Sequence, residues 1–161
     1  LINSGLKNLA FIGVNEENMN AWGERYTGFV NALKDSGLEA DEDLCYFKNL
    51  TVKTGYQAIQ RFTENNKSFD GIVCASDEIA MGAINALREK GIKVPEDVSV
   101  IGFDNNVMGS IFYPKLTTIS QPSYDMGSVA VRMLIKMLNK KELDNPNYVL
   151  NYELIKREST K

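Results

Sequence analysis

Two charged residues of opposite sign follow strand-like segments of this sequence and could bind a small polar molecule. Asp104 comes directly after the apolar run at residues 98–103. Arg25 lies in a helical pattern that follows another apolar run, at residues 8–14. A carboxylate and a guanidinium at neighbouring strand ends can each make two-pronged hydrogen bonds to a pair of vicinal hydroxyl groups. The sequence therefore predicts a binding site for a small polyhydroxy compound.

Catalysis is a different use for such residues, and the composition argues against it. The chain contains no histidine, so neither a Ser-His-Asp nor a Cys-His arrangement can be built from it, and zinc lacks its usual donors. Asp77 and Asp104 are the carboxylates that could act as a pair in glycoside hydrolysis, but Asp77 is expected to begin a helix. No glycine motif that cradles phosphate is present. We expect no enzyme activity, no metal and no cofactor.

The composition of the chain sets further bounds. Its 161 residues fit one domain of ordinary size, and 43% of them are hydrophobic, enough for a core. The net charge of -3 argues against a nucleic-acid-binding surface, which needs clustered Lys and Arg. Cys45 and Cys74 form no disulfide framework, and Cys74 in "GIVCA" is expected to be a buried thiol, which favours a cytoplasmic location. No apolar run approaches the roughly 18 residues of a membrane span, so no membrane partner is expected.

Strand-like and helix-like segments alternate along the whole chain. The strand-like segments are residues 8–14, 44–48, 69–75, 94–103, 116–120 and 148–158. The helix-like segments are residues 20–37, 51–65, 76–91, 105–113 and 125–140. Strands that are apolar along their length and separated by helices indicate a parallel sheet covered on both faces. The fold class is therefore α/β, a doubly wound parallel sheet, in which ligands meet the loops at the carboxyl ends of the strands.

Four motifs of the chain occur in one known family, in the same order and at the expected spacing. They are "FDGIVCASDEIAMGAINAL", "VPEDVSVIGFDNN", "YPKLTTISQPSYDMG" and "LIKREST". These segments resemble the effector-binding domain of the LacI/GalR family of bacterial transcription repressors. The first motif is shared with periplasmic sugar-binding proteins of similar fold. The pattern P-x-L-T-T-I-x-Q-P and the closing R-E-S-T are more specific to the repressors.

The resemblance implies which residues contact the effector. Arg25 of "RYTGF" matches the arginine that contacts the effector in the family. Asp104 after "VIGF" matches the aspartate that binds effector hydroxyls. Gln121 of "ISQP" matches a position at the hinge and in the pocket. The resemblance thus selects the same arginine and aspartate as the chemistry of the residues.

The chain departs from the family pattern at some implied pocket positions. Ser76, which is expected to cap a helix, stands where the family often has Asn and leaves a shorter polar arm. Leu50 stands where an aromatic residue usually stacks on a ring, with Phe47 a little upstream. Ala21 matches a Ser or Thr that touches the ligand, and neighbouring Trp22 is a further candidate. Stacking of an aromatic side chain from the loop at Leu50 is therefore in doubt.

Simpler interpretations of three of these residues remain open. Arg25 could be a surface residue paired with Glu24 or Glu16. Asp104 could cap the short helix that follows it, as Asp commonly does. Trp22 lies on an apolar helical stripe and could belong to the core.

The resemblance also implies a two-lobe fold of which the chain is a fragment without the N-terminal part. Residues 1–121 would form the C-terminal lobe, 122–147 the return helix of the missing N-terminal lobe, and 148–161 the closing strand and tail. Without its sheet, the 122–147 segment is expected to be displaced, disordered or packed against a second copy, because exposing its apolar stripe costs several kcal/mol. We also expect weak or undetectable sugar binding by these residues alone.

A homodimer is implied by the same resemblance. The helix and turn that pack across a two-fold axis in the family correspond here to Met81, Ile84, Ile111, Phe112 and Tyr113. The alternative is that half of these side chains fill the core of one protomer.

The implied function is the effector-sensing and dimerisation part of a DNA-binding repressor. Operator DNA would be bound only through an N-terminal helix-turn-helix domain outside this sequence, under allosteric control by a sugar-like effector. The alternative is a solute-binding protein of a sugar transport system with the same fold. The sequence identifies neither the effector nor whether it releases or strengthens DNA binding.

Overall fold

The computed structural model describes residues 1–14, 21–143 and 145–161, apart from the side chains of Ala21 and Trp22. The strands are β1 (Leu9–Gly13), β2 (Cys45–Phe47), β3 (Gly71–Cys74), β4 (Ser99–Phe103), β5 (Thr117–Ser120) and β6 (Glu153–Ile155). The helices are α1 (Ala21–Asp35), α2 (Val52–Glu64), α3 (Asp77–Glu89), α4 (Val107–Ile111) and α5 (Ser123–Leu138). This order of strands and helices is the predicted one, and the α/β class is confirmed.

The strands form one mixed sheet in the order β2-β1-β3-β4-β5-β6. Strands β1 to β5 are parallel, whereas β6 is antiparallel to β5, with Leu154 opposite Ile119. The sequence pattern indicated a closing strand over residues 148–158, but only three of those residues form the strand. The sheet is therefore parallel with one short antiparallel edge strand.

The strand order places a topological switch point between β1 and β3. The chain moves from β1 outward to β2, then returns past β1 to β3 and continues to β4 and β5. Since such crossovers are right-handed, α1 lies on one face of the sheet and α2 and α3 lie on the other. Connections that leave in opposite directions open a crevice at the carboxyl ends of β1 and β3.

The sheet face toward α2 and α3 is completely covered. Side chains on this face alternate along each strand with those on the other face, as the two-residue period of a strand requires. Those of β1, β3 and β4 are at most 1% exposed, namely Ala10, Ile12, Ile72, Cys74 and Val100. They form the main apolar core with the inward sides of the two helices.

Helices α2 and α3 approach each other at two glycines. A Cβ atom built on Gly55 would lie 1.9 Å from the carbonyl oxygen of Ile79. A Cβ atom built on Gly82 would lie 1.9 Å from the carbonyl oxygen of Val52. Only glycine therefore allows the two backbones to pack this closely.

The face toward α1 is only partly covered. Val73, Ile101, Phe103 and Ile119 are half-buried on this face. An apolar cavity of about 900 Å³ lies over them, between the sheet, α1 and the segment at Tyr148–Tyr152. The two faces of the sheet therefore differ in how completely they are packed.

Helix α5 is ordered although its apolar side is exposed. None of its residues is buried, and Leu134, Met137 and Leu138 are 54%, 59% and 74% exposed. Ser123–Leu138 form a regular helix, so disorder does not describe this part of the 122–147 segment, and its displacement is not tested. Packing against a second copy is not tested, because the structure contains one chain.

Candidate ligand-binding cleft

The polar loops predicted to share one cleft do lie together at the carboxyl end of the sheet. The β3 strand ends at Cys74 and leads through Ala75 and Ser76 into α3. The neighbouring β4 strand ends at Phe103 and is followed directly by Asp104. Because β3 and β4 are adjacent and parallel, these loops emerge side by side at the switch point, where α1 supplies Arg25.

Several contacts hold Arg25 in place, and three of them are made with described residues. Its Nη2 lies 3.4 Å from Oδ1 of Asp104, and its Nη1 donates a hydrogen bond to the carbonyl oxygen of Ala75. The guanidinium also lies over the ring of Phe103, 3.6 Å from the ring centroid, a favourable cation–π geometry. The Arg25 side chain is 11% exposed, so it does not lie open on the surface, whereas its suggested pairing with Glu24 or Glu16 stays a prediction. Glu16, its suggested surface partner, lies outside the described residues.

The Asp104 carboxylate connects Arg25 to the end of β5. Its Oδ1 accepts a hydrogen bond of 2.9 Å from Nε2 of Gln121. Its backbone N–H donates to the carbonyl oxygen of Ile119 at 2.9 Å. The side-chain contacts that the described residues make with Asp104 all go to Oδ1, which leaves Oδ2 as an acceptor for a ligand hydroxyl.

Burial has the largest effect on the ionisation of this pair. It raises the pKa of Asp104, because desolvation disfavours the carboxylate, while Arg25 and Gln121 lower the pKa in part. Burial likewise lowers the pKa of Arg25, and Asp104 counteracts this change. The two groups therefore stabilise each other's charged forms in a partly dehydrated position.

A small cleft of about 130 Å³ lies next to the carboxylate. It is lined by Leu50, Ser76, Asp77, Glu78, Asp104 and Asn106. Leu50 thus reaches the cleft, whereas Phe47 packs into the core against Phe11 and Tyr26. The side of the cleft formed by this loop is aliphatic, as the departure from the family pattern suggested.

Ser76 has a second role at the edge of this cleft. Its hydroxyl oxygen accepts a hydrogen bond of 3.3 Å from the backbone N–H of Ile79 and caps α3. The side chain is 5% exposed. The expected capping role of Ser76 is confirmed, and a direct ligand contact stays a prediction.

The larger cavity over the α1 face of the sheet is a poor candidate for the ligand site. Arg25 and Gln121 line one end of it, but most of its other lining residues are apolar. A polyhydroxy compound needs several hydrogen-bonding partners, and the loss of hydration is not compensated where they are missing. The polar groups around Asp104 therefore mark the more suitable site.

The structure brings Arg25, Asp104 and Gln121 into contact and places Leu50 and Ser76 beside them. The side chains of Ala21 and Trp22, the remaining candidates for ligand contact, lie outside the described residues.

The suggestion that Asp104 caps the short helix α4 is wrong. Asn106 is the N-cap, and its Oδ1 accepts a hydrogen bond of 3.0 Å from the backbone N–H of Met108. Asp104 lies two residues earlier and is thus free of the capping role.

Asp77 organises the loop that carries Asp104. It is 1% exposed, and its Oδ2 accepts a hydrogen bond of 2.6 Å from the backbone N–H of Asn106. Its Oδ1 accepts one of 2.6 Å from the hydroxyl of Thr118. Burial raises the pKa of Asp77, while both hydrogen bonds lower it in part. The expected structural role of Asp77 is confirmed, and it extends beyond the start of α3.

Three residues at the site were not identified from the sequence. Phe103 supplies the ring under Arg25, Asn105 extends the Asp104 loop, and Arg157 donates a hydrogen bond to Asn105. Phe103 was visible as the last residue of a strand pattern, and Arg157 as part of the R-E-S-T motif. Neither pattern indicates a contact with residues far away in the sequence.

The residues expected at a dimer interface differ strongly in exposure. Met81 and Ile84 are 8% and 2% exposed, because they face the protomer core, so they offer little area to a partner. Ile111 and Tyr113 are 68% and 79% exposed, and Phe112 is half-buried. The alternative that part of this set fills the core therefore holds for Met81 and Ile84.

Neither a metal-binding group nor a membrane-spanning helix occurs among the described residues. No group of three or more His, Cys, Asp or Glu side chains among them could hold a metal ion. In that same part of the chain, none of the helices combines the length and apolar character needed to cross a bilayer.

The fold agrees with the family to which the chain belongs. Residues 1–160 match the family model of the periplasmic binding protein-like domain, and the chain is a member of that family. The resemblance to LacI-type regulators inferred from the motifs is confirmed by the relatives.

Similar proteins include several transcription regulators. The chain is 62% identical over 160 residues to the HTH-type transcriptional regulator RegA of Clostridium saccharobutylicum, covering 99% of the chain and 48% of that protein. It is 36% identical over 162 residues to catabolite control protein A of Priestia megaterium, covering 100% of the chain and 48% of that protein. The chain thus spans about half the length of these relatives.

Solved structures show the same relationship. The crystal structure of the transcription regulator CcpA of Lactococcus lactis matches with a TM-score of 0.89 and 34% identity, over 99% of this chain and 58% of that one. The complex of the transcriptional regulator CelR with cellobiose matches with a TM-score of 0.92 and 31% identity, over 99% of this chain and 48% of that one.

Proposed function

We propose that this chain is the effector-sensing part of a LacI-type transcription regulator and that the complete protein binds a small sugar-like effector beside Asp104. The observation that supports this most is that Arg25 and Gln121 both contact Oδ1 of Asp104, while Asp104 also lines a small cleft. Fixed charged groups of this kind recognise hydroxyl pairs. The relatives named above are regulators, which favours this function over solute transport.

Regulation follows from the position of the cleft at the edge of one lobe. Residues 1–121 would form the C-terminal lobe, 122–147 the return helix of the other lobe, and 148–161 the closing strand and tail. A ligand that binds between two lobes stabilises the arrangement for which it has the higher affinity, and so changes the affinity of the whole protein for operator DNA. DNA binding belongs to the helix-turn-helix part of the parent protein, which acts in the cytoplasm without a cofactor.

A homodimer completes the proposal. Ile111 and Tyr113 are exposed apolar side chains on adjoining positions of α4 and the turn after it, and Phe112 lies between them. Such a patch fits an isologous contact with a second copy. An Ile111→Glu variant is expected to shift the complete gene product toward monomer in analytical ultracentrifugation, whereas an unchanged dimer would exclude this patch.

Thermal-shift measurements on the complete gene product test the ligand site. The ligands are D-glucose, cellobiose, glucose 6-phosphate and adenine, each titrated into the wild type. At least one sugar is expected to raise the melting temperature, because a ligand that binds only the native state stabilises it. The Asp104→Asn variant, which keeps the shape but loses the charge, is expected to lose that shift.

Asp35→Asn is the matched control. It makes the same substitution at an exposed position near the end of α1 and is expected to keep the wild-type shift. An undiminished shift in Asp104→Asn would remove this residue from the site. A response to adenine alone would indicate that the effector is a nucleobase and not a sugar. No response to any of the four compounds would contradict the proposal of a sugar-like effector.

A further inference from the structure

The loop that carries Asp104 has a backbone conformation that residues other than glycine rarely adopt. Asp104 has φ 105° and Asn105 has φ 53°. Two consecutive non-glycine residues at positive φ raise the free energy of the loop, and surrounding contacts must hold such a conformation. The contacts that hold this loop therefore decide where the Asp104 carboxylate lies.

One set of contacts attaches the loop to the inside of the lobe. The backbone N–H of Asn106 donates to Oδ2 of Asp77 at 2.6 Å. The backbone N–H of Asn105 donates to the hydroxyl oxygen of Thr118 at 3.2 Å, and that hydroxyl donates to Oδ1 of Asp77 at 2.6 Å. These bonds fix the backbone after Asp104 to the start of α3 and to β5.

A second set of contacts comes from the end of the chain. Nη2 of Arg157 donates to Oδ1 of Asn105 at 2.6 Å, and its Nη1 donates to the carbonyl oxygen of Leu116 at 2.8 Å. The side-chain amide of Asn105 in turn donates to the hydroxyl oxygen of Ser120 at 3.2 Å. Because the guanidinium is a planar fork, two bonds from it fix its direction as well as its distance.

The backbone around Arg157 is itself firmly attached. Its N–H donates to the hydroxyl oxygen of Thr117 at 2.9 Å. Two residues on, the buried hydroxyl of Ser159 donates to the carbonyl oxygen of Val100 at 2.6 Å and accepts from the backbone N–H of Thr117 at 2.8 Å. The guanidinium of Arg157 therefore extends from a rigid base formed with β4 and β5.

We propose that Arg157 is a positioning residue for the ligand site. It holds Asn105 in the conformation that directs the neighbouring Asp104 carboxylate toward Arg25 and Gln121. The importance of where the Asp104 carboxylate lies rests on the proposed function. The effect of Arg157 on that carboxylate can be measured without any ligand. A residue that only attached the end of the chain to the sheet would leave the contact of Asp104 with Gln121 unchanged.

NMR on the full 161-residue chain tests the proposal through the Arg157→Gln variant. The side-chain amide signal of Gln121 reports its hydrogen bond to the carboxylate and is expected to move. The backbone amides of Asn105 and Asn106 are expected to exchange with solvent about tenfold faster or more, because a charge-assisted bond that closes the loop is lost. The control is Arg132→Gln, the same substitution on the exposed side of α5, which should change neither signal.

Two further variants separate the positioning contact from general stability. Asn105→Ala removes the acceptor but leaves Arg157 bound to Leu116, and it should reproduce the change at Gln121. Arg157→Lys keeps the charge but cannot serve both acceptors, and it should give a partial change. If Arg157→Gln does not fold, Asn105→Ala decides the question.

An unchanged Gln121 signal in Arg157→Gln or Asn105→Ala would overturn the proposal. The ligand assay with Asp104→Asn is independent of these signals. A moved Gln121 signal together with undiminished ligand binding by Asp104→Asn would therefore reject the proposed function and retain the positioning role.

Discussion

The guanidinium of Arg25 lies 3.4 Å from the carboxylate of Asp104, although the two residues are 79 positions apart in the sequence. The contact joins α1 to the loop after β4. It forms where the neighbouring strands of the sheet end, and it combines a largely buried cation with an acid that lines a small cleft. This pair defines the candidate site.

The acids at the site should ionise at higher pH than an exposed aspartate. Burial raises the pKa of Asp104 and of Asp77 above the ordinary value of 3.8, whereas hydrogen bonding to Lys67 lowers the pKa of Asp43. Carboxyl titration by carbon-13 NMR should give midpoints for Asp104 and Asp77 above 3.8 and a midpoint for Asp43 below it. A midpoint of Asp104 at or below that of Asp43 would contradict the burial seen in the structure.

The pH dependence of stability follows from the same shifts. A carboxyl group with a raised pKa takes up a proton more readily in the native state than in the unfolded state, so Asp104 and Asp77 destabilise the native state at neutral pH. This cost decreases as the pH falls through their native pKa values. For Asp43 the sign is opposite, because its stabilising contribution is present above the unfolded pKa and lost as the pH falls toward the lower native pKa. In urea unfolding, the stability of the wild type relative to Asp104→Asn should therefore increase as the pH falls.

The close approach of α2 and α3 should not tolerate a methyl group. Gly55→Ala or Gly82→Ala would place a Cβ atom 1.9 Å from a carbonyl oxygen, so the helices would have to move apart. We expect a loss of about 2–4 kcal/mol in the free energy of unfolding, measured with urea.

Gly28→Ala in α1 is the control for this pair. A Cβ atom built there meets nothing within 4 Å, so the higher helix propensity of Ala should stabilise the chain by up to about 1 kcal/mol. Equal effects of all three substitutions on the free energy of unfolding would rule out the contact between α2 and α3 as the cause of the loss of stability.

The exposed side of α5 should make the 161-residue chain associate. Leu134, Met137 and Leu138 are more than half exposed, and their burial against a second copy would be favourable by roughly 25 cal/mol per Å² of apolar area. Sedimentation velocity should show concentration-dependent association that a Leu134→Gln, Leu138→Gln variant reduces. Val149→Gln, which changes a 92% exposed residue outside the helix, should leave the association unchanged. A chain that stays monomeric at all concentrations would refute the association.

Both cysteines should be unreactive in the native chain. Cys45 and Cys74 are free and buried, and burial raises the pKa of both thiols, so little of the reactive thiolate is present at neutral pH. Ellman's reagent should therefore label both thiols rapidly in urea and only slowly under native conditions. Rapid labelling of Cys74 in the native chain would show that β3 opens easily.

Local patterns in the sequence predicted the secondary structure well. Helices α2 and α3 could be located from the spacing of their apolar residues, because helical spacing depends on nearby residues alone. The β6 strand was predicted too long, since an alternating pattern cannot show where the neighbouring strand ends. For the segment of α5 the sequence left displacement, disorder and packing against a second copy open, because a helical pattern does not show what covers the apolar side of the helix.

The residues of the candidate site likewise include some that the sequence identified and one that it did not. Arg25, Asp104 and Gln121 were found because each follows a recognisable strand or motif. Arg157 was not found as a site residue, because its contact with Asn105 spans 52 positions and no local pattern reports it.

The sequence by itself determined the succession of strands and helices, the absence of histidine chemistry and the charged residues available at strand ends. Only the tertiary structure decided the strand order β2-β1-β3-β4-β5-β6, and with it which of those residues meet. The physical reason is that a parallel sheet gathers the ends of distant strands at one edge. The burial, ionisation and orientation of Asp104 arise from neighbours that the chain brings there only by folding.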